Sequence, residues 1–387
     1  MNQKQWSSGL MSALMACTGG AILVVHSANH FGYSERQLLT WLFVCYTVAG
    51  LFNLLIAWRY RMPFAGAHSI TSIAFLSTAS VQLTLPQLAG SFVMSGIIVL
   101  LLGVTGIFNV LFKHIPRPVI DAMLAGIIAH FVIELVPAFQ ANPIVGLLAV
   151  IGFFVTPRLF KVLPAIVGVI VLGLIGLLIT YSFPAAQKLS FQLPQLIAPE
   201  FTWQGLISIA IPISVLVLSN DIAVAMAALN KQDYQPPVNR IISLSGIASS
   251  LSGFMLGHSI NVGGMMTTVC SSDDTGEKTL RYRAGMLSSF ICILFGLFAW
   301  LFIPYITLLP DYFIAIIIGF SLLGIFLNSM GAAFSNPHYR YSVLVAFVIS
   351  ISGIAIFGIS AALWALVLGT LASKLLGEHK LVQQREQ

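Results

Sequence analysis

The chain has 387 residues, of which 58% are hydrophobic and only 8% charged, with a mean hydropathy of +0.95. A soluble domain carries roughly a quarter charged residues, so this composition cannot cover a water-facing surface and excludes a soluble fold. The formal net charge of +6 would suggest nucleic acid in a soluble protein, but the basic residues stand singly or in small groups between apolar runs; no nucleic-acid partner is expected, and the partner is the lipid bilayer.

Apolar runs punctuated by Pro, Gly and charge predict an all-α polytopic membrane protein of about fourteen segments. They fall near 7–28, 37–57, 63–79, 87–112, 118–137, 142–158, 164–182, 203–229, 238–256, 259–272, 282–307, 311–333, 341–358 and 360–377. The opening segment shows no cleavage site of a secretory leader and is expected to remain. With the amino terminus inside, Arg36 and Lys188 are the only Lys or Arg residues placed outside. The positive-inside rule therefore predicts a cytoplasmic-membrane protein with both termini cytoplasmic.

The four cysteines, Cys17, Cys45, Cys270 and Cys292, lie in apolar segments without metal-like spacing. Free buried thiols are expected, with no metal and no cofactor.

Residues 64–71 resemble residues 254–261, matching Phe64 with Phe254, His68 with His258, Ser69 with Ser259 and Ile70 with Ile260, about half the chain apart. Trp6 is echoed by Trp203, and Ile115-Pro116 by Ile303-Pro304. Seven segments separate the equivalents. An odd number means that the second half enters the membrane from the opposite side, the construction of inverted repeats. The reading is a first repeat over 1–182 and a second over 203–377, joined by an external loop at 183–202, with core and gate domains interleaved from both.

The echoing third and tenth segments are short, begin with Gly- or Pro-bearing extended stretches and continue as Ser/Thr-rich helices. Irregular backbone at membrane depth is tolerated only where protein buries it or where it lines a cavity. Two such half-helices in an inverted pair would meet near the midplane, where their free N–H groups favour an anion. Two shallow re-entrant loops without a ligand are the alternative.

On these residues the sequence resembles the benzoate/proton symporter (BenE) family, related to the uracil/xanthine and sulfate permeases. The resemblance is carried by Ile115-Pro116, by Ala122 to Ile127, by Asn220, by Gly257-His258 and Asn261, and by Thr267-Thr268-Val269-Cys270. Ser69-Ile70-Thr71-Ser72 stands where the family carries Ser-Thr-Pro-Gly, and Asp221 stands where it carries a small or apolar residue. The resemblance implies a seven-plus-seven inverted-repeat fold, a gate rocking against a core, and substrate held between the third and tenth segments and the first and eighth spans. A homodimer would accord with the fold.

Ionisable groups inside a span are costly and are functional candidates by default. Asp221, in mid-span, is the candidate proton carrier, since a buried carboxylate beside a bound anion gains from taking a proton. A structural carboxylate paired with His68 or His258 is the alternative. His68 and His258 flank the half-helix starts as donors to a carboxylate, and His258 also as a proton relay. Ser69, Thr71, Asn220, Asn261, Thr267 and Thr268 supply neutral polar groups, which also serve to hold helices together. Asp121 and Glu134 are read as interfacial, His26 and His30 as outer-surface residues, and Phe64, Phe75 and Phe254 as neighbours for an aromatic ring.

The functional expectation is secondary active, proton-coupled uptake of a small organic anion, an aromatic carboxylate such as benzoate, by alternating access; sodium remains an alternative coupling ion. A nucleobase or inorganic-anion permease of the same fold is the second reading. An anion channel, or an intramembrane enzyme using Asp221, His258 and Ser259 or Ser69, stands further off: the chain carries no catalytic motif, and the repeat suits alternating access.

Overall fold

A computed structural model describes residues 1–107, 115–160, 163–184 and 190–378. Lys113, Lys161, Lys188, Lys380 and Arg385 of the charge count, and the end of the segment 87–112, lie outside the described residues. Helices occupy each of the predicted segments: α1 (Gln3–His30), α2 (Glu35–Tyr60), α3 (Ile70–Thr78), α4 (Leu85–Thr105), α5 (Arg117–Ala141), α6 (Pro143–Leu159), α7 (Ala165–Thr180), α8 (Trp203–Lys231), α9 (Val238–Gly253), α10 (Gly264–Ser271), α11 (Tyr282–Leu297), α12 (Ala299–Ile306), α13 (Asp311–Phe334), α14 (Tyr341–Ser352) and α15 (Ala361–Leu375). Seven of these, among the described residues, are long and apolar enough to cross a bilayer: α1, α2, α4, α5, α8, α13 and the stretch Lys278–Leu297 that contains α11. No strand occurs among the described residues beyond one isolated bridge, Ile356 to Ile359.

Several boundaries depart from the sequence reading for local reasons. The segment 282–307 is two helices, broken at Phe298. The segment 341–358 stops being helical at Ser352, where Gly353 takes the left-handed conformation (φ 63°) open to glycine. Within α5 the helix is interrupted at Glu134, three residues before Pro137, which has no N–H for the Ile133 carbonyl. The echo of Ile115-Pro116 in Ile303-Pro304 is not a structural equivalence: Pro116 caps the start of α5, whereas Pro304 lies inside α12.

A feature the sequence did not announce supports the repeat. α1 contains a π-helical stretch at Ala16–Gly20 and α8 contains one at Leu206–Ala210, the same separation as that between His68 and His258. A second π turn in α8, Val217–Ile222, carries Asn220 and Asp221.

The helices pack in two sets. In one, α4 lies along α9, α11 lies along α1 and α2, and α10 packs on α8 and α1; in the other, α5 packs against α13, α14 and α15, and α6 against α7. The sets meet where α1 touches α13, α3 touches α5, and α8 touches α15. Bare glycines bring the backbones together, as is usual where lipid supplies no hydrophobic drive. A Cβ at Gly96 would strike the backbone of Ser250, one at Gly246 that of Leu100, and one at Gly168 that of Gly152. Residues 195–200 of the connecting stretch lie on the ends of the first set: Gln195 N–H donates to Thr40 Oγ1 (3.0 Å), Ile197 N–H to Phe254 O (2.8 Å) and Glu200 N–H to Pro86 O (2.9 Å).

Candidate functional site

The extended stretches that precede α3 and α10 run antiparallel against each other. Gly263 N–H donates to Ala65 O (3.0 Å), and Ser69 N–H donates to Ser259 Oγ (2.9 Å). Thr267 Oγ1 accepts from Ala65 N–H (3.2 Å) and donates to Ala65 O (3.0 Å). Asn53 Nδ2 donates to Asn261 O (3.1 Å) from α2. Backbone groups at membrane depth thus find partners in each other. The approach requires glycine: a Cβ on Gly66 would collide with Gly263 N and lie 2.6 Å from Asn261 O.

The two half-helix starts differ. Ser69 caps α3 with its own side chain, accepting from Ser72 N–H (3.2 Å) and pairing with Thr71 Oγ1 (3.1 Å). Gly263 gives α10 no side-chain cap. The first turn of α10, Gly264 to Met266, faces a cavity of about 420 Å³, with Ile70 and Thr71 of the α3 start on its wall.

Asn220 and Asp221 of α8 line the same cavity. Asp221 is 8% exposed, its Oδ2 has no hydrogen-bond partner, and Ser69 and Asn261 are polar neighbours of its carboxyl group. His68 is also on the wall. Its Nε2 lies 3.1 Å from Tyr46 Oη, whose single proton is donated to Ala16 O at 2.8 Å. That network assigns the imidazole proton to Nε2 and leaves Nδ1 as a bare, buried acceptor.

His258 is fully buried and does not border the cavity. Trp41 Nε1–H, a donor only, points at its Nδ1 (3.1 Å), so Nε2 carries the proton and faces Ser69 O (3.3 Å). Cys45, His68 and His258 bring donor atoms within 4.8 Å of one another, the one such trio among the described residues. Trp41 and Cys45 stand against His258 and Tyr46 against His68, so that both imidazoles are tied to α2, His68 at the cavity wall and His258 behind it.

Of the residues named from sequence, His68, Thr71, Asn220 and Asp221 therefore line one cavity. Ser69, His258, Asn261 and Thr267 stand behind it and tie the crossing together. Phe64, Phe75 and Phe254 are off the wall. Sequence reasoning missed Asn328 and Ser329 of α13 and Arg117 of α5, and it set Asp121 at the interface. All four border the cavity, and Arg117 Nε lies 3.4 Å from Asp121 Oδ1. The spacing of Arg117 and Asp121, one helical turn, was the available signal.

A second cavity, of about 550 Å³, is lined by His26, His30, His130, Glu134 and Asp311. Ser77, in the last turn of α3, borders it, so the two cavities stand at opposite ends of that half-helix.

A family profile described as "Benzoate membrane transport protein" (BenE) matches residues 1–375. The chain is 26% identical over 390 residues to a benzoate membrane transport protein of Acinetobacter baylyi, covering 98% of each. It is 25% identical over 367 residues to the inner membrane protein YdcO of Escherichia coli, covering 94% of this chain and 93% of that one. Among solved structures it resembles the transmembrane domain of a cyanobacterial bicarbonate transporter, BicA (TM-score 0.65, 16% identity, 96% and 97% covered), and SLC26A9 (TM-score 0.62, 14% identity, 95% and 64% covered). These likenesses bear out the inverted-repeat membrane fold expected from the sequence, and a transporter rather than an enzyme. The chain belongs to the BenE family of benzoate membrane transport proteins and is a multi-pass membrane transporter.

Proposed function

We propose that this chain takes up a small aromatic carboxylate such as benzoate together with protons, by alternating access. The observation that carries the reading is the convergence, on one cavity of about 420 Å³, of an uncapped helix start, a fixed cation and a buried acid whose Oδ2 has no hydrogen-bond partner. A volume of that order suits a small organic ligand. The N–H groups of the first turn of α10 favour a carboxylate. Leu124, Val224, Met265 and Ile325 offer the ring an apolar wall, which an inorganic anion would leave unused.

Asp221 is the proposed proton carrier, and the bare Nδ1 of His68 an acceptor beside it. His258 is assigned a positioning role, holding Ser69 and with it the α3 start. The set containing α1, α3, α8 and α10 would act as core, and the set built on α5 and α13 as gate. Cavities at both ends of α3 suit a cleft between the sets that opens alternately to either side. By the charge rule the Arg117 end is cytoplasmic, both termini lie there, and the membrane is the bacterial cytoplasmic membrane.

The test is uptake of radiolabelled benzoate into proteoliposomes with and without an inward proton gradient, alongside Asp221→Asn. Gradient-driven accumulation that the substitution abolishes supports substrate and proton carrier together. Absence of both binding and accumulation of benzoate would overturn the substrate.

A further inference from the structure

Among the described residues, Arg117 is the one side chain of fixed positive charge on the wall of the cavity of about 420 Å³. Its side chain is 45% exposed, whereas that of its partner Asp121 is 8% exposed. Among the described residues, Arg117 is the charged side chain paired with Asp121; α13, packed against α5, presents Asn328 and Ser329 to the cavity. Across the cavity stand the other titratable groups, Asp221 on α8 and His68 before α3. Arg117 therefore faces two claims: Asp121 holds it when the cavity is empty, and an entering carboxylate offers the same two-oxygen acceptor.

We propose that Arg117 and Asp121 form a releasable counter-ion pair, in which the substrate carboxylate takes Arg117 from Asp121 and the freed Asp121 takes up a proton. This rests on the carboxylate-transport reading above. The bookkeeping is simple. Arg117 with ionised Asp121 is neutral; adding an anion leaves one excess negative charge among membrane-spanning helices, which is costly. A proton from water in the open cavity, bonded to a carboxylate oxygen of Asp121, removes the excess. Arg117 then pairs with the substrate, and the loaded site is neutral again. Asp121 is thus a second proton-binding position on the gate side, distinct from Asp221 on the core side.

Partial exposure of the guanidinium fits the exchange. A pair sealed from solvent would leave a stranded charge if broken, whereas Arg117 keeps one face in water while its partner changes. The spacing of 3.4 Å between Nε and Oδ1 is also looser than the 2.7–2.9 Å usual for a charge-assisted bond.

The experiment is calorimetric titration of purified protein with benzoate in buffers of different ionisation enthalpy, which counts protons taken up on binding, for wild type, Asp121→Asn, Arg117→Gln and Arg117→Lys, each first shown to be folded by thermal unfolding. Asp121→Asn is expected to bind benzoate at least as tightly as wild type, because Arg117 has lost its competitor, and to take up about one proton fewer. Arg117→Gln should weaken binding by about tenfold or more, the size of a lost charge-assisted bond, with Arg117→Lys recovering part of it. An unchanged proton count in Asp121→Asn, or unchanged affinity in Arg117→Gln, would overturn the proposal while wild-type binding kept the substrate reading. No benzoate binding by wild type would instead remove that reading itself.

Discussion

His68 and His258, which precede the half-helices α3 and α10, stand face to edge with ring centroids 5.1 Å apart, and both are held from the same helix, α2, by Tyr46 and Trp41. The two aromatic anchors fix opposite outcomes. Tyr46 leaves His68 with a free acceptor at the cavity wall, while Trp41 turns His258 inward, where it supports Ser69.

Removing one anchor should separate these roles. Trp41→Phe strips the hydrogen bond from a buried imidazole and is expected to cost about 1–3 kcal/mol of stability, read as a lowered unfolding temperature in detergent. Tyr46→Phe should in addition weaken substrate binding, because the His68 ring loses the partner that orients it toward the cavity.

The crossing of the two extended stretches has no room for a side chain at Gly66. Gly66→Ala is expected to cost about 1–3 kcal/mol through forced backbone displacement, with loss of transport. Gly331, in α13, has no atom within 4 Å of a built Cβ; Gly331→Ala should be neutral or stabilising by up to about 1 kcal/mol. Thermal unfolding of the two variants side by side checks the contrast.

The cap on α3 can be tested without touching the cavity wall. Ser69→Ala removes the side-chain acceptor for Ser72 N–H and should destabilise by about 1 kcal/mol. Uptake is expected to fall further than stability does, since the start of α3 forms part of the site; comparing transport per folded protein with the unfolding temperature separates the two effects.

Proton coupling through Asp221 predicts the sign of the pH response. A carrier that must bind a proton on the outside to load its anion works faster as external pH falls and slows as it rises. Initial uptake rates in vesicles at fixed internal pH should follow this trend in wild type and Asp221→Glu. In Asp221→Asn the dependence should flatten.

Much of this architecture is written in the sequence because lipid demands it. Apolar run length and loop charge locate the segments, and the pairing of His68 with His258 marks the two broken helices. What the sequence hides are relations across the cleft. Asp121 and Arg117 look interfacial when read along α5, and only packing against α13 turns them toward Asp221. Thr267 has the composition of a ligand, yet its hydroxyl goes to the Ala65 backbone at the crossing, because that stretch needs partners there. Breaks at Glu134 and Phe298 are local effects too small to interrupt an apolar run.

The π turn at Val217–Ile222 bears on how such a site can change over generations. In a regular α-helix adjacent side chains point about 100° apart; a turn closed by i→i+5 bonds spreads over more residues and narrows that angle, which allows the neighbours Asn220 and Asp221 to share one wall. Losing a single residue there would restore regular winding, turn the amide and the acid apart and rotate Ala223–Lys231 about its axis. One codon, rather than a change of side chain, thus separates a site with two adjacent polar groups from a site with one.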